Sequence, residues 1–277
     1  MKLSLDFSRQ DEGFLPNFGT SRCYPRFVIA GLGGTGGYVF YHLARLIAAQ
    51  ENSKHYQILL ADGDIVEKKN LIRQNFIEED VGRSKVKVLS ERYGYVYKMN
   101  IPYHSHYIED QEVLNDLLWE RKLDFYPTVT VLIGCVDNNK TRQLFYQTFM
   151  DFPDLMIYID SGNDEWSGQV VMGAKGRKKI ILPPVGYYYP DILEDTDTLF
   201  PSEESCQDIA VSSPQNIATN ITAATITFTI LNQLFFNGGT EIYGATFNAT
   251  TGQTRALRVE EYYKKQKNLD YPYQITN

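Results

Sequence analysis

Four short apolar runs, each containing β-branched or aromatic residues, indicate buried strands in the part of the chain before residue 160. They lie at residues 26–30, 56–61, 128–133 and 155–159. Residues 38–49 instead repeat their apolar positions at helical spacing. Strands that alternate with helical segments are typical of a parallel sheet that is covered by helices on both faces. We therefore predict an α/β, Rossmann-like fold with a mainly parallel sheet.

The C-terminal part of the chain has a different pattern. Residues 214–216 read Pro-Gln-Asn and open an apolar segment that runs to about residue 236, where Asn-Gly-Gly gives a C-cap signal. This predicts a long helix, and its Thr, Asn and Gln residues argue against a membrane span. Residues 245–249 and 254–259 flank a Thr-Thr-Gly turn and predict a β-hairpin, which would extend the domain at its C-terminal end.

The same pattern predicts the division of the chain into segments. Residues 1–25 are polar with scattered Phe and Gly, and we interpret them as an arm that precedes a single domain at residues 26–277. Residues 183–213 combine a Pro-Pro pair, a tyrosine run and several acids. We predict a long, partly mobile crossing loop there, and such loops are usually either functional or disordered.

Composition narrows the class of protein. A length of 277 residues is enough for one large domain, and a net charge of −7 argues against binding to nucleic acid, which needs clustered Lys and Arg. The N-terminus has no apolar stretch of the kind that signal peptides carry. The three cysteines fit no disulfide framework and no paired Cys-x-x-Cys zinc site. We expect a cytoplasmic protein that does not bind membranes.

A glycine-rich loop is the first candidate functional feature. Residues 31–37 read GLGGTGG and lie between the first strand and the first helix, which makes Gly31, Gly33, Gly34 and Gly36 candidates for nucleotide binding. Glycines let the backbone approach a phosphate closely, and the N–H groups at the start of the helix attract the anion. Asp62 ends the second strand, where Rossmann folds place the acid that binds ribose hydroxyls. These two features alone support an NAD-dependent dehydrogenase equally well.

The segment after the second strand favours a triphosphate. It contains, in order, Asp64, Asn70, Arg73, Gln74 and Lys85. Arginine binds phosphate with a planar fork, lysine supplies a mobile point charge, and the amides of Asn and Gln donate to oxygens. A dehydrogenase has no need for this set beside its dinucleotide loop.

Asp137 adds a candidate metal ligand. It follows the third predicted strand, in the sequence Gly-Cys-Val-Asp-Asn. A carboxylate at this end of a strand, opposite the glycine loop, is suitably placed to hold Mg²⁺ on phosphates.

These motifs together resemble the ThiF/MoeB/HesA family, the bacterial relatives of ubiquitin-activating enzymes. The resemblance rests on the strings GLGGTGG, DGDIVEKKNLIRQNF, DVGRSK and CVDNNKTR, in this order, and covers roughly residues 26–260. Residues 160–162 and 168–170 also resemble the next strand pair of the family. Several ordered motifs are far more specific than a glycine loop alone.

The resemblance implies a role for each matching residue. The glycine loop would pack against the nucleotide, and Asp62 would accept hydrogen bonds from the ribose hydroxyls. Asn70, Arg73, Gln74 and Lys85 would surround the phosphates of ATP, and Asp137 would bind Mg²⁺. Asp64 would either orient Arg73 or cap the next segment.

The reaction that the resemblance implies is adenylation of a carboxylate. The carboxylate, commonly the C-terminal glycine of a protein, attacks the α-phosphate of ATP and pyrophosphate leaves. The expected partner is a ubiquitin-like or sulfur-carrier-like small protein. Family members are often homodimers, and Arg9 of the arm is the candidate arginine that acts across the dimer, with Arg22 and Arg26 as competitors.

Two features of the family concern cysteine. Some members carry a cysteine that accepts the acyl group, and Cys206 lies in a suitable segment, although it is an equally good candidate for an unreactive loop cysteine. Sulfur-carrier activators usually hold a structural zinc with two Cys-x-x-Cys pairs. Neither pair exists here, so we expect no structural zinc.

Two other functions remain open from the sequence. The first is an NAD(P)-binding oxidoreductase, which the glycine loop and Asp62 support, although the chain has no recognisable catalytic Tyr-x-x-x-Lys arrangement. The second is a non-catalytic relative of the family that acts as a dimeric binding partner.

Overall fold

The computed structural model of the chain describes residues 1–3, 24–119, 128–177, 179–196, 198–203 and 216–268. Within these ranges the strands form a single sheet. The strands are β1 (Tyr24–Ala30), β2 (Gln57–Ala61), β3 (Tyr103–His104), β4 (Thr128–Gly134), β5 (Met156–Asn163), β6 (Ser167–Lys175), β7 (Ile180–Leu182), β8 (Ile242–Asn248) and β9 (Gln253–Arg258).

The sheet has a parallel half and an antiparallel half. Its order is β3-β2-β1-β4-β5-β6-β8-β9, with β7 paired to β6. The first five strands in this order are parallel to their neighbours. The direction reverses at β6, and the remaining pairs are antiparallel. The strand order reverses direction at β1, which lies between β2 and β4, so the cleft for a ligand is expected at the carboxyl ends of these strands.

Helices lie on both faces of the sheet. They are α1 (Gly34–Ala48), α2 (Lys85–Tyr97), α3 (Gln111–Leu118), α4 (Asn139–Asp151), α5 (Val185–Tyr188), α6 (Asp191–Glu194), α7 (Ile217–Phe236) and α8 (Val259–Asn268). Phe27 of β1 contacts Phe235 of α7, whereas the neighbouring Arg26 donates to the Leu117 carbonyl of α3. Successive strand residues point to opposite faces, so α7 and α3 cover opposite sides. Short 3₁₀ helices at Ser53–His55, Lys68–Ile72 and Glu78–Asp80 complete the chain path.

The central strands are apolar because they are buried on both faces. Residues 27–30 of β1 and 156–159 of β5 are almost inaccessible to solvent. Such strands show a continuous apolar run rather than alternation. The long helix α7 contains no charged residue and packs on α1, β5, β6 and β8. It therefore joins the parallel half of the sheet to the antiparallel half.

The structure confirms the predicted α/β, Rossmann-like fold. The predicted hairpin is β8 and β9, and it continues the same sheet through the pairing of β8 with β6. Helices α2, α3, α4 and α8 and strand β7 were not predicted from the sequence. No helix in the described ranges is long and apolar enough to cross a membrane.

The described part of the predicted crossing loop contains two helical turns, α5 and α6. Gln143 of α4 donates to the carbonyls of Ile192 and Asp195, and the Asn139 amide donates to the Asp195 carboxylate at 2.8 Å. Farther along, the Ser202 hydroxyl donates to Glu109, which lies just beyond β3. This segment therefore runs from the N-terminal part of α4 toward the β3 side of the sheet.

Candidate functional site

The glycine loop fits closely between the ends of β1 and β4. Gly31 has φ of +83°, and a Cβ there would lie 2.6 Å from the carbonyl oxygen of Cys135. A Cβ on Gly36 would lie 1.8 Å from the carbonyl oxygen of Gly31. The N-cap residue of α1 is Gly33, which offers no side-chain cap. The first turn of α1 therefore lacks the capping oxygen that would satisfy its N–H groups, an arrangement suited to an anion.

Asp62 ties the end of β2 to this loop. Its carboxylate accepts a hydrogen bond from the Leu32 backbone N–H at 2.5 Å and another from the Asp64 N–H at 2.8 Å. Burial raises the pKa of Asp62, and the nearby positive charge of Lys85 opposes this effect. Each oxygen of a carboxylate has two acceptor positions, so Asp62 keeps capacity for ribose hydroxyls.

Lys85 and Asp64 form an ion pair beside Asp62. The Lys85 side chain is nearly inaccessible, and its Nζ lies 2.7 Å from Oδ2 of Asp64. Burial lowers the pKa of Lys85, but the charges of Asp62 and Asp64 outweigh it and raise the pKa above its ordinary value. Burial likewise raises the pKa of Asp64, and the Lys85 charge and hydrogen bond bring it below the ordinary value. Both groups are therefore charged at neutral pH.

Tyr107 is a member of this group that the sequence analysis missed. Its hydroxyl donates to Oδ1 of Asp64, and a Cβ on Gly63 would lie 2.7 Å from its ring. The structure thus pairs Asp64 with Lys85 and Tyr107. A role of Asp64 in orienting Arg73 or in capping the next segment stays a prediction. The only signal in the sequence was the glycine after Asp62, which leaves room for a large side chain.

Gln74 brings the 70–74 segment close to the glycine loop. Asn70 is buried, and its Oδ1 accepts the Glu67 N–H at 2.8 Å, which stabilises the Lys68–Ile72 helix. Nε2 of Gln74 lies 3.6 Å from the position that a Gly33 Cβ would occupy. Oε1 of Gln74 is buried and has no hydrogen-bond partner among the described residues. Arg73 is half-buried at the end of the same helix.

Asp137 lies on the same edge of the sheet, in the exposed turn between β4 and α4. Its negative charge contributes to the raised pKa of Lys85, after the larger effects of Asp62 and Asp64. No group of three or more His, Cys, Asp or Glu side chains in the described ranges could hold a metal. Mg²⁺ commonly takes only one or two carboxylates together with phosphate oxygens and water. An exposed carboxylate at this edge fits that mode of binding.

A buried ion pair braces the turn that carries Asp137. Arg142 of α4 donates to the carbonyl of Val136 at 2.9 Å, and its Nε lies 3.5 Å from Oδ2 of Asp160. Asp160 is fully buried, and burial raises its pKa while Arg142 and the Tyr158 hydroxyl oppose the rise. The pair connects the β4–α4 turn to the end of β5.

The structure also bears on the remaining candidates. Burial raises the pKa of the Cys135 thiol to about 12, so this group is protonated at neutral pH. Arg26, which competed with Arg9, is buried and donates to the Leu117 carbonyl and to Gln57 in the layer of α3. It therefore cannot act across a dimer as an arginine of the arm. Arg9, Arg22 and Cys206 lie outside the described residues.

Several solved structures share this fold. E. coli MccB crystallised with ATP superimposes with a TM-score of 0.58 at 16% identity, over 90% of this chain and 65% of that one. E. coli MccB with MccA-N7isoASN gives a TM-score of 0.59 at 16% identity, over 90% and 66%. A protein named PaaA gives 0.55 at 18% identity, over 87% and 65%. The chain thus spans just under two thirds of the length of these proteins, and these low identities establish the fold alone.

The sequence comparison is more specific. No protein with a curated description matches the chain. The model of the ThiF family matches residues 22–269, a range that includes the glycine loop, Lys85 and Asp137. This range covers most of the 277 residues. The chain belongs to the ThiF family.

Proposed function

We propose that this protein uses ATP to adenylate a carboxylate. The observation that carries the proposal is the convergence of four separate segments on one edge of the sheet. Leu32 of the glycine loop bonds to Asp62, Asp64 bonds to Lys85, and Gln74 lies against Gly33. The site thus combines an open helix N-terminus with a buried cation, which suits a nucleotide triphosphate.

The chemical step requires little of the protein beyond position and charge. An oxygen of the substrate carboxylate attacks the α-phosphorus of ATP, and the bond from that phosphorus to the bridging oxygen of the β-phosphate breaks. Pyrophosphate leaves with the bonding electrons, and an acyl-adenylate remains. The carboxylate is already ionised, so no general base is needed. Catalysis then comes from alignment of the reactants and from stabilisation of the charge on the leaving oxygens.

Each residue of the site has a defined task in this proposal. Asp62 binds the ribose hydroxyls, and the first turn of α1 receives the phosphates. Lys85, with its raised pKa, supplies a permanent positive charge to the phosphate oxygens. Asn70, Arg73 and Gln74 complete the phosphate site from the Lys68–Ile72 helix and the residues after it. Asp137 holds Mg²⁺, which neutralises charge on the phosphates when it is bound.

The acyl substrate in this proposal is the C-terminal carboxylate of a ubiquitin-like or sulfur-carrier-like small protein or peptide. E. coli MccB, a fold neighbour, was crystallised with AMPCPP and MccA together. Assembly as a homodimer, with Arg9 reaching the site of the partner subunit, is a further part of the proposal. So is transfer of the acyl group from AMP to Sγ of Cys206, which would form a thioester and release AMP.

Pyrophosphate exchange tests the central reaction. Purified protein with Mg²⁺ and the small protein or peptide encoded beside its gene should incorporate labelled pyrophosphate into ATP. A partner without its last residue is the control, because it presents a different carboxylate, and it should support little exchange. Loss of a thioester adduct in Cys206→Ala, with exchange retained, would test the acyl acceptor separately.

The two other functions predict different results. Tight binding of NAD without Mg²⁺, together with an absence of exchange, would favour the oxidoreductase. ATP binding without exchange, and intact biological function in Arg73→Ala and Asp137→Ala, would favour a non-catalytic binding partner. Either result would overturn the adenylation proposal.

A further inference from the structure

Asn220 of α7 is a buried polar residue that none of the site residues above explains. It is inaccessible to solvent and lies on a helix that carries no charged side chain. A buried amide on such a helix is unfavourable unless its hydrogen bonds are satisfied. The hydrogen-bond partners of this amide therefore indicate its role.

Two side chains contact the oxygen of the Asn220 amide. Oδ1 accepts a hydrogen bond from the Asn163 amide at 3.1 Å and a longer one from the Thr35 hydroxyl at 3.4 Å. In this arrangement Nδ2 points away from both neighbours. Nδ2 is buried and finds no hydrogen-bond partner in the described part of the chain.

The unpartnered Nδ2 lies at the N-terminus of α1. A Cβ on Gly34 would be only 2.0 Å from Nδ2, so the amide rests directly against the first residue of that helix. Gln74 approaches Gly33, the preceding residue, where Nε2 lies 3.6 Å from the position of a Cβ. Two side-chain amides therefore contact successive residues of the glycine loop. Gln74 lies against Gly33, and Asn220 of α7 lies against Gly34.

A buried donor without an acceptor destabilises the protein, and an apolar side chain of similar volume would avoid that cost. We propose that Asn220 is a nucleotide-binding residue, whose Nδ2–H donates to an anionic phosphate oxygen held at the first turn of α1. This inference rests on the proposed function, because the oxygen comes with the nucleotide. Nδ2 is shielded from solvent in the structure, so the contact requires a small movement of the adjoining glycines, which tolerate such movement.

Asn220 would be a contact to the phosphate site from the C-terminal half of the chain. Asn163 ends β5, Asn220 lies in the second turn of α7, and Thr35 belongs to the glycine loop. Occupation of the phosphate site would thus complete a chain of hydrogen bonds that joins β5, α7 and α1. Helix α7, which packs on the antiparallel half of the sheet, would then contact the bound nucleotide directly.

Two variants test the donor together. Asn220→Asp keeps the shape and Oδ1 of the side chain and replaces the N–H donor by an oxygen, but its carboxyl group could also repel phosphate. Asn220→Leu removes the donor without adding a charge, so a loss that both variants share is due to the missing donor. Calorimetric titration would measure the dissociation constants of ATP, ADP, AMP and adenosine. We expect phosphate-bearing ligands to bind about 10- to 100-fold more weakly, the loss typical of a hydrogen bond to a charged acceptor. Adenosine should bind within about twofold of the wild type, because it carries no anionic oxygen.

Thr227→Val is the matched control. Thr227 is also buried on α7, and its hydroxyl also has no partner among the described residues. It lies two turns farther along the helix, away from the glycine loop, so its replacement should leave all four dissociation constants unchanged. Thermal unfolding of each variant without nucleotide would show that it is folded.

Three outcomes would overturn the inference. The first is ATP binding within twofold of the wild type in either folded variant. The second is an equal loss for adenosine and ATP, which would show that Asn220 only shapes the loop. If the new buried carboxyl prevents folding of Asn220→Asp, Asn220→Leu alone is judged by the same criteria, because it keeps the volume without a charge. The third outcome, wild-type protein that binds no ATP, would overturn the proposed function as well.

Discussion

Lys85 combines a buried ammonium group with two neighbouring carboxylates. Burial alone would lower its pKa, but Asp62 and Asp64 raise it, so the group is charged at neutral pH. A lysine of this kind acts as a fixed charge rather than as a base. Its carboxylate neighbours hold Nζ in place before the nucleotide arrives, which reduces the reorganisation needed in the transition state.

Replacement of Lys85 tests this role. Lys85→Gln keeps a donor of similar reach but removes the charge, and we expect pyrophosphate exchange to fall about 100-fold or more. Lys87→Gln is the control on the same helix, because Lys87 is exposed and lies 4.0 Å from Glu91 in a surface ion pair. Exchange should be unchanged in that variant. Retention of exchange in folded Lys85→Gln would refute the role of the charge.

The pH dependence of stability should show the Asp64 ion pair. Asp64 has a lowered pKa in the folded protein, so its stabilisation is present above the unfolded pKa of about 4 and is lost as the pH falls through the folded value. Urea unfolding should find the wild type more stable than Asp64→Asn at pH 6. The difference should shrink toward pH 3. A constant difference at all pH values would show that the charge is not responsible.

Glu91→Gln serves as the control for this titration. Glu91 pairs with Arg83 at 2.6 Å, but both side chains are about half exposed. Exposed ion pairs contribute little to stability because water and salt screen them. Its replacement should therefore change the free energy of unfolding by less than about 1 kcal/mol over the same pH range.

At the scale of elements, two glycines with a left-handed backbone illustrate two different costs of replacing glycine. Gly31 and Gly82 both have φ near +85°, at +83° and +85°. A Cβ on Gly31 would meet the Cys135 carbonyl at 2.6 Å, whereas a Cβ on Gly82 would meet nothing within 4 Å. Gly82→Ala should therefore cost only the left-handed backbone, about 1–2 kcal/mol. Gly31→Ala should cost about 2–5 kcal/mol, because the clash is added.

Urea unfolding of the two variants measures this difference. Equal losses would mean that the loop can move away from β4, and the tight fit of the glycine loop would then be unimportant for stability. ATP binding provides a second measurement. Gly82 lies between the 70–74 segment and α2, so its variant also reports whether strain outside the glycine loop affects the site.

The elements that could be predicted from the sequence are those whose patterns are local. The central strands β1, β4 and β5 are buried on both faces and appear as apolar runs. Helix α7 is marked by its length and by Asn237-Gly238-Gly239 at its end. The contact of Tyr107 with Asp64 could not be predicted, because it depends on a two-residue strand, β3, that aligns with β2. Short strands carry almost no pattern of their own.

The site residues divide in the same way. The glycine loop, Asp62, Lys85 and Asp137 follow predicted strands or belong to ordered motifs, so the sequence placed them on one edge. Asn220 could not be recognised from the sequence, because an asparagine within an apolar helix is common and does not by itself indicate a binding site. Only the burial of its amide and the direction of Asn163 and Thr35 distinguish it. Hydrogen-bond geometry of this kind depends on tertiary packing.

At the scale of the whole molecule, α7 connects the two halves of the sheet. It packs on α1 beside the glycine loop and on β5, β6 and β8 across the reversal of strand direction. At the far end, Leu3 exchanges two backbone hydrogen bonds of 2.8 Å with Thr240, which follows α7. A ligand bound at the glycine loop therefore lies next to α1 and α7, the helices that connect the two halves of the sheet. We expect nucleotide binding to stabilise the protein as a unit.

Thermal unfolding with ATP tests this expectation and the role of Mg²⁺ together. Binding to the folded state alone stabilises it by about 2.7 kcal/mol at 100 times the dissociation constant, which corresponds to a rise in Tm of about 5–10 °C for a domain of this size. Mg²⁺ should increase the rise further in the wild type, because the exposed carboxylate of Asp137 is the proposed magnesium ligand. In Asp137→Asn the rise with ATP alone should remain, whereas the increment from Mg²⁺ should disappear. An undiminished increment would show that another group holds the metal, and separate transitions for the two halves would contradict their coupling through α7.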